Sequence, residues 1–162
     1  MRGLWCVPLL LGGAQAQDTE YERLIDALGS VTGSRVLVFA PSIFDVPLAE
    51  SLRQSALDSV RRPQIRIVTI QYYNFLPGST ALSLALANVP LYEVQSRPGD
   101  GIVVIADRGW KGANLGKRQG AAVTPMTPSE VNRAVRWFHT VTARSRRVTQ
   151  PEAYRRIKQV LK

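Results

Sequence analysis

Apolar residues recur along this chain with two alternating periods. Tyr21, Leu24, Ile25 and Leu28 fall at helical spacing and Gly29 follows as a stop, so 18–28 reads as an amphipathic helix. Asp18, Glu20 and Glu22 in its first turns suit the helix dipole. The run 34–40, SRVLVFA, reads as a buried strand ended by Pro41. Asp45 can cap a helix carrying Val46, Pro47, Leu48, Leu52, Ala56 and Val60, which Pro63 ends. A second strand, 64–71, leads into the aromatic loop 72–78, and Ser79 opens a helix through Leu82, Leu84, Leu86 and Val89. A short strand at 91–95 and a turn at 97–99 follow. Further on, Thr127-Pro128-Ser129-Glu130 is a capping box with proline at the first helical position. Its helix runs to about Arg146 and turns Val131, Ala134, Val135, Phe138 and Val141 inward. A similar start at Thr149 opens a terminal helix, 153–161. Strands alternating with helices predict a layered α/β fold with parallel pairing.

The stretch 100–114, DGIVVIADRGWKGAN, organises the rest. GIVVIA is a continuous run rich in β-branched residues, which predicts a strand buried on both faces. Asp107, Arg108, Gly109, Lys111, Gly112 and Asn114 crowd behind it. In open α/β sheets ligands sit at the C-terminal ends of the strands, so 108–114 is expected at the mouth of the sheet.

The N-terminus has a different character. Arg2, the apolar stretch 3–13 and Ala14-Gln15-Ala16 read as a secretory signal peptide, 1–16, too short to be a membrane anchor. Cys6, the one cysteine, lies inside it, so the segment 17–162 has no disulfide and no thiolate ligand and is long enough for a single domain. A secreted or periplasmic location follows, with no transmembrane segment once the signal is removed. Charge is uneven: 17–107 carries 7 basic and 10 acidic residues, whereas 108–162 carries 13 basic and 2 acidic. That asymmetry points to a polyanion or an anionic surface, or else to a solvated face.

The stretch 100–115 resembles the motif strand of the phospholipase D superfamily, H-x-K-x4-D followed by a G-S-x-N turn. Asp100 stands in the His place, Ile102 in the Lys place, Asp107 keeps the Asp, and Gly112-Ala113-Asn114-Leu115 stands for the turn, after a gap shorter than the family's. The resemblance covers 34–115, with a long C-terminal helix beyond. It implies a phospholipase D-like half, similar to the short, single-motif bacterial endonucleases that carry a signal peptide and pair as homodimers. Family chemistry uses one His as nucleophile, a second as general acid, and Lys and Asn to hold phosphate oxygens. Here the motif His and Lys are absent, and Asp100, Asp107 and Asn114 are vestigial positions. The one histidine, His139, lies mid-helix beside Trp137 and Phe138 and reads as a packed helix residue.

Other catalytic classes lack their residues. No zinc ligand set, phosphate loop or nucleophile elbow is present, and Ser42 and Ser79 read as turn and cap residues. Asp100 and Asp107 are either strand-end carboxylates or a pair for a hard metal. No metal and no cofactor are expected. Binding is better supplied. Arg108, Lys111, Lys117 and Arg118 follow the strand, and Arg133, Arg136, Arg144, Arg146 and Arg147 lie on the next helix and its tail. Trp110, Tyr72, Tyr73 and Phe75 are either core or stacking surfaces for bases. The expected function is therefore phosphate or nucleic-acid binding without covalent-histidine catalysis. The alternatives are a phosphodiesterase or nuclease built on Asp100, Asp107, Lys111 and Asn114, or a basic module docking on anionic lipid or protein.

Overall fold

The structure is a computed structural model that describes residues 19–97 and 99–161. The expected signal peptide, 1–16, and Pro98 of the expected turn lie outside the described residues. The elements run α1 (Glu20–Ser30), β1 (Arg35–Phe39), α2 (Val46–Leu57), β2 (Gln64–Ile70), a 3₁₀ turn (Gln71–Phe75), α3 (Ala81–Leu86) and β3 (Leu91–Val94). Then follow β4 (Gly101–Ile105), β5 (Arg108–Gly112), β6 (Thr124–Pro125), α4 (Pro128–Arg144) and α5 (Gln150–Val160). Caps set the helix starts: Thr19 and Thr127 form capping boxes with Glu22 and Glu130, and Asp45 and Thr149 accept from Leu48 N and Glu152 N.

The six strands lie in the order β3-β2-β1-β4-β5-β6. β1, β2 and β3 are parallel, but β4 runs antiparallel to β1, and β5 and β6 continue antiparallel. The expected parallel pairing thus holds for β1, β2 and β3, and the antiparallel β4–β6 make the sheet mixed. The reason is the link before β4. Residues 95–100 are too few for the crossover that a parallel strand requires, so β4 starts at the end where β3 finishes and runs back.

A second correction follows. β4 turns at Ala106-Asp107, with Ala106 at φ +54°, into β5, so Arg108–Gly112 is a hairpin strand and not a loop. β4 and β5 therefore travel away from the mouth and back. Asp107 and Arg108 sit at the far end, while Gly112 and Asn114 return to the mouth beside Gly101.

The two faces of the sheet are covered unequally. Val36, Val38, Ile67, Val103, Ile105 and Trp110 pack on one face in a core shared with α1, α2, α3 and α5. On the other, Leu37, Phe39, Val68 and Val104 meet Val131, Ala134 and Phe138 of α4. Phe138, 1 % exposed, is the anchor of that single helix; burial of such a ring contributes about 1.5–3 kcal/mol. Among the described residues no helix is long and apolar enough to cross a membrane.

Candidate anion-binding groove

At the mouth the backbone packs closely. Gly101 lies beneath the Leu115 carbonyl, 2.6 Å from where a Cβ would stand. Gly116 adopts φ +83°, and its carbonyl accepts from Phe44 N (2.7 Å) and Asp45 N (3.0 Å). Asp45 is fully buried and committed: it caps α2 at Leu48 N and accepts the Tyr21 hydroxyl at 2.7 and 2.9 Å. Burial, and then that carboxylate, raise the Tyr21 phenol above its usual range. Leu115 belongs to the core of the four-helix face, and Lys117 and Arg118 beyond it are both exposed.

On α4's face the arrangement is different. Ile102 has Lys111 as its direct cross-strand partner. Cβ atoms of such a pair stand about 4.5–5.5 Å apart on one face. Lys111 Nζ donates to Glu130 Oε1 at 2.5 Å, and Glu130 also receives Thr127 N at 2.8 Å. Lys111's hydrogen bond, ahead of the Thr127 amide, pulls the Glu130 carboxyl down to about 2. Phe39, Ile102, Met126, Ala134 and Trp137 make the apolar floor of a cavity of about 330 Å³, with Lys111, Glu130 and Arg133 on its rim. Trp137 packs edge-on against Phe39 at 5.1 Å yet stays 38 % exposed.

The candidate cations therefore divide. Arg133, Arg136 and Arg144 are exposed and, among the described residues, make no ion pair. Arg146 is held bidentate by Glu152 at 2.7 Å, and Arg147 donates to Asn88. Arg108 lies at the far end, its guanidinium 5.5 Å from the Trp110 ring centre. Trp110 itself is 4 % exposed and donates to Glu20 at 3.2 Å, so it is a core residue and not a stacking surface. Asp100 and Asp107 flank opposite ends of β4, which five residues at about 3.4 Å each put roughly 17 Å apart. They cannot share a metal. Among the described residues no group of three or more His, Cys, Asp or Glu could hold one. His139 is exposed on α4, away from the groove.

The sequence reading missed Glu130 as Lys111's partner, Trp137 as a groove wall and the Tyr21–Asp45 pair. Trp137 was legible in principle. It stands four residues beyond Arg133, on the same helix edge.

The fold that these elements define is phospholipase D-like: a mixed six-stranded sheet flanked by five helices. A solved structure, that of Nuc, a phospholipase D family member from Salmonella typhimurium, is similar with a TM-score of 0.64 and 14 % sequence identity. The match covers 78 % of this chain and 89 % of that one. No protein-family model matches the sequence, and a search of curated proteins found no match.

Proposed function

We propose that residues 17–162 form a single secreted or periplasmic phospholipase D-like domain that binds a phosphate-rich polyanion, nucleic acid foremost, without covalent-histidine catalysis. The observation that carries this reading is the pairing of Ile102 with Lys111. A cation stands on the neighbouring strand, beside the position the family gives to its phosphate-holding Lys, and Arg133 adds a charge that makes no ion pair among the described residues. The nucleophile has no counterpart. Asp100 occupies its place, and a covalent phosphohistidine cannot form on a carboxylate. The groove's chemistry is then attraction and positioning: guanidinium and ammonium groups hold phosphate oxygens while the apolar floor excludes water.

Two other readings lose ground. A nuclease assembled from Asp100, Asp107, Lys111 and Asn114 needs those groups together, and Asp107 lies a strand's length from the rest. A module docking on anionic lipid draws on the same cations but gives no role to a groove floored by Phe39 and Ile102. A second copy, as in single-motif relatives, is expected alongside; sedimentation of the purified protein checks it.

The test is the electrophoretic mobility of labelled DNA with the purified protein, with and without divalent metal. A retarded band of uncut DNA is the expected result. Cleavage that survives in His139→Ala would establish an atypical nuclease. No retardation at about 50 mM salt, where electrostatic binding is strong, would remove nucleic acid as the partner.

A further inference from the structure

A second cavity, of about 640 Å³, opens at the same end of the sheet over the C-terminal ends of β2 and β3. Its floor is apolar. Ile70 and Val94 continue the rows begun by Val68 and Tyr92, on the face that α4 covers, and so on the same face as the Lys111 groove. Its wall is the 3₁₀ turn, which presents Tyr72 at 70 % and Phe75 at 39 % exposure.

Both rings are held in place. Tyr72 stands edge-on to Tyr73, 5.4 Å between centres. The Arg156 guanidinium lies over the Phe75 ring, 5.1 Å from its centre. Between them Asn74, 1 % exposed, donates to Thr69 Oγ1 at 2.8 Å and Glu93 Oε1 at 2.7 Å, which pins the turn to the sheet. The rim is polar: Gln71, Gln95 and Arg97, the last without an ion pair among the described residues.

Rigid, outward aromatic rings ringed by amides and one free guanidinium fit a flat, hydrogen-bonding ring attached to an anionic chain. We infer that this is a stacking subsite for an unpaired nucleobase, and that the polyanion held at the first groove is single-stranded nucleic acid. The inference rests on the polyanion reading above. At about 4.8 Å per strand, the two cavities lie roughly 10–12 Å apart, so one strand engages both. The Lys111–Arg133 groove takes phosphates, and the Tyr72 turn takes a base. A duplex keeps its bases stacked inside and offers this platform nothing.

Fluorescence anisotropy with labelled oligothymidylate, a labelled duplex of equal length and vesicles of anionic phospholipid separates the outcomes. The expected result is that Tyr72→Ala weakens oligothymidylate binding about five- to 100-fold, leaves duplex binding unchanged and keeps the salt slope. Tyr72→Phe, which keeps the ring, should bind as wild type. Wild-type binding that Tyr72→Ala leaves intact overturns the subsite and spares the polyanion reading. Equal losses for strand and duplex, or for the Ala and Phe variants, likewise overturn it. A Tyr72→Ala defect confined to vesicles assigns the rings to a lipid surface. Failure of the wild type to bind either nucleic acid removes both the subsite and the reading beneath it.

Discussion

Arg156 on α5 points inward and Arg133 on α4 points outward, and the contrast divides the basic half into two kinds of charge. Arg156 is 8 % exposed. It grips both oxygens of Glu93 at 2.6 and 2.8 Å, reaches Glu152 as well, and lies over Phe75. Glu152 in turn holds Arg146. These charges are neutralised inside the fold and tie α5 to β3 and the aromatic turn. Among the described residues Arg133, Arg136 and Arg144 have no such partners, and they keep their field for whatever approaches α4. A count of cations predicts neither set. What decides is whether a carboxylate from another element reaches the guanidinium.

Removing an inward charge should have the largest effect. Glu93→Ala leaves Arg156 buried without its bidentate partner and strips Asn74 of an acceptor. We expect a loss of about 3–5 kcal/mol in urea denaturation, the range for one member of a buried pair. Glu93→Ala within 1 kcal/mol of wild type would show that the network is not structural.

Next in size is Gly101→Ala. The added methyl meets the Leu115 carbonyl and Leu115 Cβ at 2.6 and 2.7 Å, contacts that backbone cannot relieve cheaply. A loss of about 1–3 kcal/mol is expected, as for overpacking. The same change at exposed Gly29, with open space around it, should be neutral or stabilising by comparison.

How much of this was legible in the sequence varies by region. The helices were readable because proline, threonine and acidic residues punctuate them. α4 begins where its capping box says and ends at Arg144, two residues early, and α5 starts earlier than expected because Gln150 and Pro151 already lie inside it. The first three strands were readable because each is followed by a helix or turn. The β4–β5 hairpin was not. Its turn, Ala106-Asp107, lacks the Asn-Gly or Asp-Gly signal, and Ala106 adopts a positive φ that its side chain does not announce. Without a hairpin signal the sequence predicts 108–114 as one cluster at the mouth, whereas Arg108 and Lys111 diverge in the structure. Side-chain partners such as Lys111–Glu130 or Arg156–Glu93 join residues distant in sequence, and no periodicity encodes them.

The outward set is tested by salt. For duplex DNA each phosphate contact contributes about −0.9 to the slope of log K against log salt. Removing Arg133 and Arg136 together should lower the slope by up to about two units and weaken all sequences alike. Urea stability should stay put, since neither makes an ion pair among the described residues. A double variant that loses stability while keeping its slope would move these arginines into the structural class with Arg156.

Lys111 stands between the two classes, and the smallest prediction concerns it. It is half-exposed, it faces the groove, and Glu130 neutralises it at 2.5 Å. Glu130→Gln keeps the shape of the capping residue and frees the ammonium. Polyanion binding at neutral pH should tighten about two- to fivefold, and the salt slope should steepen by about one unit. The same substitution has a signature in acid. Glu130's carboxyl is lowered from 4.5 to about 2, chiefly by Lys111. A depressed carboxylate contributes stability that is fully present above 4.5 and is lost as pH falls toward 2. Wild type should therefore lose more stability than Glu130→Gln across that window, and the two curves should run parallel above it. Should Glu130→Gln bind more weakly at neutral pH, Lys111 needs its carboxylate to be aimed into the groove. The ion pair would then belong to the binding site, and no longer compete with the ligand for the same ammonium.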